Sequence, residues 1–342
     1  MIDHTHLVGF RIPHTEFDVA GQCGNVEWHG IGGVERRDAV RAKLAIRASF
    51  CQSVADGLLS GVLSLPCHIV SDAHVGAAPP ATADALVEFL RRLRGQPGSL
   101  LLNGDILDFW FEWRRSIPSF ALPVLGALSE LSASGTPITW IAGNHDCWGG
   151  DVLRDLVGVT YQTTPLRTTL GAWDLEVEHG DGLRGDADRG YLRVKPILRH
   201  PLSVWAFKLI HPDLGTRLAL GTSTASRVHS AEDNGIGLRD IAIARIMARG
   251  GPSAVVFGHS HVAGITRAAN GGVYANPGGW GDVPRYLRLT TTRLELLEFS
   301  VSGEDRCLDF VEHRADEALP NASEGVGRVG GDKAMRSADP IR

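Results

Sequence analysis

Little in this 342-residue sequence suits a disulfide scaffold, a membrane span or a dedicated nucleic-acid binder. The five cysteines (Cys23, Cys51, Cys67, Cys147, Cys307) are odd in number, dispersed and without a CxxC pair. Such a set reads as reduced thiols of a cytoplasmic protein. No window approaches the roughly 18 uninterrupted apolar residues of a transmembrane helix. The opening MIDHTHLVGFRIPHTEF has no basic stretch followed by an apolar one, so no secretory signal is expected. A net charge of -5, from 39 acidic and 34 basic side chains, is too mild for a surface that tracks phosphate backbones, and no nucleic-acid partner is expected. None of this excludes peripheral contact with a membrane. What is present, 43% hydrophobic and 21% charged residues, is the balance of a soluble globular chain long enough for one large domain or two small ones.

Residues 1–35, rich in Gly and His without a period, read as a flexible arm. Over 36–66, Val40, Leu44, Ile46, Phe50, Val54 and Leu58 recur at roughly helical spacing until Pro66, which predicts a helical extension. A different rhythm then begins. CHIVSDAHVG (67–76), SLLLNGDILDFW (99–110) and PITWIAGNHD (137–146) are short apolar strands with polar ends, separated by the helical stretches 84–94 and 119–135. Strand alternating with helix predicts a sheet of parallel strands, whose ligands sit at the carboxyl ends. LRTTLGAWDLEVEHGDG (166–182) reads as two further strands, and SAVVFGHSHVAG (253–264) as another with a polar end. Residues 183–240 break the rhythm with mixed, partly helical sequence, and 304–342, charged and Gly-rich, read as a disordered tail.

Five polar clusters stand at these strand ends: Asp72 with His74, Gly104-Asp105, Gly143-Asn144-His145-Asp146, His179-Gly180-Asp181, and Gly258-His259 with His261. A period of two sends Asp72 and His74 to one side of the chain, and His259 and His261 likewise. Carboxylates, an amide oxygen and imidazoles, with no thiolate among them, are the donors of a catalytic centre for Mn, Fe, Zn or Mg. Seven donors exceed one ion and suit two sharing a carboxylate, with Asp105 the natural bridge. Two-metal sites, with ions ~3.5–4 Å apart, clamp the attacking and leaving oxygens of a displacement at phosphorus.

The series DxH, GD, GNHD, isolated His, GHxH, in this order over about 67–297, resembles the calcineurin-like metallophosphoesterases. The resemblance implies an α/β fold, a four-layer α/β/β/α sandwich over 67–303 with a helical lid inserted at 183–240. It implies two divalent ions, manganese favoured, one held by Asp72, His74, Asp105 and His261, the other by Asp105, Asn144, His179 and His259. His145 would face the phosphate without binding metal, Asp146 would orient His145, and water made nucleophilic by the metals would attack.

The core does not choose the substrate. From Arg184 to Arg217 the insert holds Arg184, Arg189, Arg193, Lys195, Arg199, Lys208 and Arg217 against three Asp, interleaved with Leu192, Val194, Trp205, Phe207 and other apolar residues. A basic and apolar lid can hold a diphosphate on one face and a lipid on the other. Without a run of stacking aromatics in the lid, a nuclease is disfavoured. The run HGD, Asp188, Tyr191, Arg193, Pro201 is similar to the insert of the UDP-2,3-diacylglucosamine diphosphatases of lipid A synthesis. That branch carries Arg where this chain has His145. The likeness implies that Asp188, Tyr191 and Arg193, with Arg189 and Lys195 beside them, hold the head of a nucleotide-sugar lipid, at the cytoplasmic side of the inner membrane. The other readings are an esterase for a soluble nucleotide or phosphoprotein, and a non-catalytic metal-binding scaffold.

Overall fold

A computed structural model describes residues 63–313 except 231, 232 and 282, with backbone alone for 222–230. The arm expected at 1–35 and nearly all of the extension at 36–66 lie outside these residues.

Strand β1 (Cys67–Val70) leads through helix α1 (Pro80–Leu93) to β2 (Ser99–Asn103), and α2 (Leu122–Ala133) leads to β3 (Ile138–Ile141) and β4 (Thr160–Gln162). These four strands are mutually parallel. Antiparallel β10 (Arg285–Leu289), β11 (Arg293–Glu298) and β12 (Arg306–Glu312) extend the β1 side into a seven-stranded sheet of order β12-β11-β10-β1-β2-β3-β4. The second sheet has five strands in the order β5-β6-β7-β9-β8, namely β5 (Leu166–Leu170), β6 (Trp173–Val177), β7 (Ala254–Val256), β9 (Val273–Asn276) and β8 (Gly264–Arg267).

Alternation along the strands makes the layers. On β1 and β2, Ile69 and Leu101 point toward Leu175, Val177, Val256 and Ala275 of the second sheet, forming the core between the sheets. Their neighbours Val70, Leu100 and Leu102 point the other way, onto Leu86, Leu90, Leu125 and Leu128 of α1 and α2. A strand buried on both faces must be apolar at nearly every position, which is why CHIV and SLLLN show no polar alternation. The outer face of the second sheet is covered by α6 (Ile236–Met247), whose Leu238, Ala242 and Ile246 meet Val255, Phe257 and Tyr274. Helix, sheet, sheet and helix are the four layers expected.

Between β6 and α6 the chain forms α3 (Arg189–Leu198), α4 (Pro201–Phe207) and α5 (Pro212–Ser230). Among their side chains and the loop after β2, Phe109, Phe111 and Trp113 pack with Trp148, Val204 and Phe207 into a separate aromatic cluster. Two boundaries differ from expectation. The lid stops short of 240, because α6 buries its apolar stripe on the second sheet and belongs to the sandwich. The tail expected to fray from 304 instead supplies β12, held by its ladder to β11 and by the Arg306–Glu298 ion pair. Only Val311 of β12 is buried, so an edge strand of this kind carries no core pattern to read.

Candidate metal centre

Each polar cluster emerges where a parallel strand ends: Asp72 and His74 after β1, Asp105 after β2, Asn144 to Asp146 after β3, His179 after β6, His259 and His261 after β7. Six described non-glycine residues have a left-handed backbone, and five of them are Asp72, His74, Asp105, His259 and His261. That conformation costs of order 1–3 kcal/mol per residue and persists where surrounding bonds over-determine it. Here Asp72 N donates to Gly104 O (3.1 Å), His74 N to Asp105 O (3.0 Å), and His259 N to both carboxylate oxygens of Asp72 (3.1 and 3.0 Å). Two glycines permit the approach: a Cβ on Gly143 would run into the Asp105 carboxylate, and one on Gly258 into Ser71 and Asp72.

The side chains converge in three groups, within each of which the donor atoms lie within 4.8 Å of one another: Asp72, His74 and His261; His74, Asp108 and His145, sharing His74 with the first; and Asp105, His179 and His259. His74 Nε2 and His261 Nε2 are 3.1 Å apart, and His261 Nε2 is 3.4 Å from Asp72 Oδ1. His179 Nδ1–H donates to Asn103 O at 2.9 Å, since a carbonyl can only accept, which turns the Nε2 lone pair toward Asp105 Oδ2, 3.2 Å away. Asn144 Oδ1 and His179 Nε2 are buried and have no hydrogen-bond partner. Lone pairs from imidazole, amide and carboxylate aimed at one small volume repel unless a cation stands among them. The donor set therefore fits a pair of divalent ions.

The electrostatics agree. Buried Asp105 is held well below the usual carboxylate range: burial opposes ionisation, but His179, His145 and His74 outweigh it. Burial opposes a charge on His179, but Asp105, Asp72 and Asp181 outweigh it and raise its pKa well above the usual imidazole value, so the Nε2 lone pair draws a proton or, in its place, a metal cation. His259 is lowered to about 4, by burial and then by His179. This field of carboxylates is one that attracts positive charge.

His145 and Asp146 divide their work differently from expectation. The Asp146 carboxylate does not touch the His145 ring. It accepts from Gly143 N (2.8 Å), Ile106 N (2.9 Å) and Trp140 Nε1 (3.2 Å), tying the loop after β3 to the loop after β2. Burial, and then the nearby Asp105 charge, push its pKa up to about 6. The residue that holds the ring is Asp108, whose carbonyl accepts from His145 Nδ1–H at 2.9 Å and whose Oδ1 lies 3.6 Å from the same nitrogen and 3.3 Å from His74 Nδ1. Sequence reasoning passed over Asp108. Its signal is the second acid of GDILD, three residues after Asp105, where the chain turns back beneath the site.

Next to the centre lies a cavity of about 400 Å³ that Asp108, Asn144 and His145 join to Phe109, Phe111, Trp148, Phe207, Ile197 and Leu198. Against the expectation of an insert without stacking rings, its Phe207 stacks on Trp148 at this wall, and the DFWFEW run after β2 supplies further aromatic walls from elsewhere in the chain. Tyr191 also lines this cavity, while Arg193 is exposed. The other residues expected to hold substrate are engaged within the chain. Buried Asp188 accepts from Arg184 N (2.8 Å) and pairs with its guanidinium, exposed Arg189 pairs with Asp186, and Lys195 Nζ donates to Asp181 Oδ2 at 2.7 Å. The buried pairs of Asp188 with Arg184 and of Lys195 with Asp181 hold the base of the lid together.

Fold and site together define a metal-dependent phosphoesterase. The family model for calcineurin-like phosphoesterase matches residues 65–263, and the chain belongs to that family. Within it the chain is similar to the UDP-2,3-diacylglucosamine hydrolase of Porphyromonas gingivalis, at 32% identity over 164 residues, 47% of this chain and 63% of that protein. The protein of the same name from Pseudomonas syringae is 30% identical over 197 residues, 56% of this chain and 78% of its own. The one from Azotobacter vinelandii is 29% identical over 195 residues, 56% and 80%. The chain thus spans less than two thirds of the first relative and over three quarters of the other two.

Proposed function

We propose that the protein hydrolyses the diphosphate of a UDP-diacylglucosamine-like nucleotide-sugar lipid, releasing UMP and a lipid phosphate. The observation that carries this reading is the apolar, aromatic cavity opening directly onto Asn144 and His145. A soluble phosphoester would leave that surface unfilled. About 25 cal/mol is gained per Å² of apolar surface removed from water, so alkyl chains are its natural occupants. The named activity of the three relatives points the same way.

Asp72, His74, Asp105 and His261 would hold one ion, and Asp105, Asn144, His179 and His259 the other, the division the donor groups suggest. Two divalent ions, with manganese favoured, would lower the pKa of coordinated water and offset charge on the phosphoryl oxygens. His145, with Nδ1–H committed to Asp108, presents Nε2 to the phosphate and can hold or give a proton to the leaving oxygen. In the reaction the oxygen of water bonds to a phosphorus, and the P–O bond of the bridge breaks. Tyr191 at the cavity wall and Arg193 at the exposed edge of α3 would meet the head group. Leu202, Trp205 and Leu209, exposed at 69%, 61% and 70% beside Lys208, give the lid an apolar tip suited to peripheral contact with a membrane. No helix among the described residues is long and apolar enough to cross one.

The test is UMP release by Mn-loaded protein from UDP-2,3-diacylglucosamine and from UDP-N-acetylglucosamine, with chelator and D105A controls. Metal-dependent release that requires the acyl chains is expected. Equal turnover of the unacylated sugar nucleotide, or activity confined to soluble esters, would overturn the lipid assignment. Loss of D105A-sensitive turnover on every substrate would favour the scaffold reading.

A further inference from the structure

Asp181 follows the candidate ligand His179 by two residues and is buried, yet no donor group contains it. Its carboxylate faces the lid. Tyr191 Oη donates to Asp181 Oδ2 at 2.6 Å, Lys195 Nζ at 2.7 Å, and an Arg199 Nη lies 3.7 Å away. Lys195 Nζ also donates to Asp181 O at 3.2 Å. Residues 191, 195 and 199 are spaced by four, so one stripe of α3 and its C-cap meets a single carboxylate. Arg199 reaches past it to Gly143 O, at 3.4 Å, in the loop that carries Asn144 and His145. The backbone around Asp181 is shaped for this approach. Gly182 is left-handed, and a Cβ there would come within 2.9 Å of Leu192 on α3.

The same helix supplies Tyr191, Ile197 and Leu198 to the wall of the cavity beside the metal centre. Its other anchors are few: no residue of α3 is buried. A surface-lying amphipathic helix with so little buried area keeps its position through specific bonds; most of those available here converge on Asp181, with Trp148 Nε1 donating to Leu198 O at 3.0 Å as a further anchor.

We infer that Asp181 is a positioning residue that latches α3 to the metal-bearing loops and thereby sets the apolar cavity wall for the substrate's alkyl chain. The chemistry remains with the metal ligands and His145; Asp181 decides how much is gained from the chain. This rests on the reading of the cavity as an alkyl site, and the experiment separates the two.

Mn-loaded wild-type protein, D181N, K195M and the double variant would be assayed with p-nitrophenyl methyl phosphate and p-nitrophenyl decyl phosphate. Manganese content and hydrogen exchange of the α3 amides would be measured on the same samples. D181N keeps the side chain's shape and removes the charge. The expected result is a fall of tenfold or more in the decyl-over-methyl ratio of kcat/KM, carried by KM, with methyl-ester turnover and manganese content within twofold of wild type. α3 amides should exchange faster, K195M should move the same way, and adding it to D181N should change little further. Parallel loss of manganese and methyl-ester turnover in D181N would overturn the inference by placing Asp181 in the metal centre. So would an unchanged ratio with unchanged α3 exchange. If wild type gains nothing from the decyl chain, the alkyl reading of the cavity fails, and the latch stands or falls on whether D181N speeds α3 exchange.

Discussion

Replacing Asp146 by Asn keeps the shape of a side chain that carries three hydrogen bonds and changes only where acceptors and donors lie. Oδ1 accepts from Gly143 N, and Oδ2 accepts from both Ile106 N and Trp140 Nε1. An asparagine must set its NH2 against one of these sides. The less costly choice keeps the oxygen toward Ile106 and Trp140 and turns two N–H groups on each other at Gly143. Asp146 is fully buried, so water cannot rescue either one. Stranding a buried donor costs about 1–3 kcal/mol, so the pair should cost roughly 2–4 kcal/mol of stability. The strain falls on Gly143, next to Asn144 and His145, where a displacement of ~1 Å lowers turnover by about 10²-fold. Urea unfolding at pH 7.5 should show the lower midpoint, and assays of the same protein with a Mn-loaded diester should show the loss of kcat. D146A, which strands all three donors, should cost more than D146N. Wild-type stability together with turnover within threefold for D146N would refute the claim that this carboxylate braces the loop.

H145Q should keep its manganese, measured by elemental analysis, and lose turnover by about 10²–10⁴-fold, the usual worth of a positioned acid–base group. D108N, with its backbone carbonyl still accepting from His145, should keep more activity than H145Q on the same diester. His68 provides a pH signature away from the metal site. Burial lowers its pKa to about 4 from an ordinary 6.5, opposed first by the Ser99 backbone hydrogen bond, with the Arg288 charge then lowering it and Asp305 raising it. Between those values the unfolded chain binds a proton that the folded one refuses, so stability is full above 6.5 and falls as the pH drops. A proton held by only one of the two states changes stability by about 1.36 kcal/mol for each step of one in pH, so His68 should remove ~2 kcal/mol between pH 7 and pH 5. Urea unfolding of H68L at both pH values should show a dependence shallower by that amount, and an equal slope would exclude His68 as its source.

The strands that build the site were legible because their signals are local. A stretch such as CHIV, apolar except at His68 and followed after Ser71 by Asp72 and His74, announces both a buried strand and a polar end, and parallel strands bring such ends together. The five clusters could be read as one centre for that reason. The role given to Asp146 was not legible in its adjacency to His145, because neighbouring residues on a loop point to different sides. Its carboxylate turned inward to backbone donors, and Asp108, distant in sequence by 37 residues, took the ring.

The alternation of strand and helix from β1 to β3, the donor types and the class of chemistry were set by residue kinds at short spacing, and the linear chain carries them. Three other things had to wait for the packed molecule. Packing assigned α6 to the sandwich and not to the lid, because the face a helix buries depends on which sheet lies beneath it. It recruited β12 from an apparently featureless tail, because an edge strand is held by backbone bonds that any sequence can make. It also spent Asp188, Arg189 and Lys195 on intrachain ion pairs while building the aromatic cavity from segments as far apart as Phe109 and Phe207. Charge and surface become site or scaffold according to what stands opposite them, and only the folded chain supplies the opposite side.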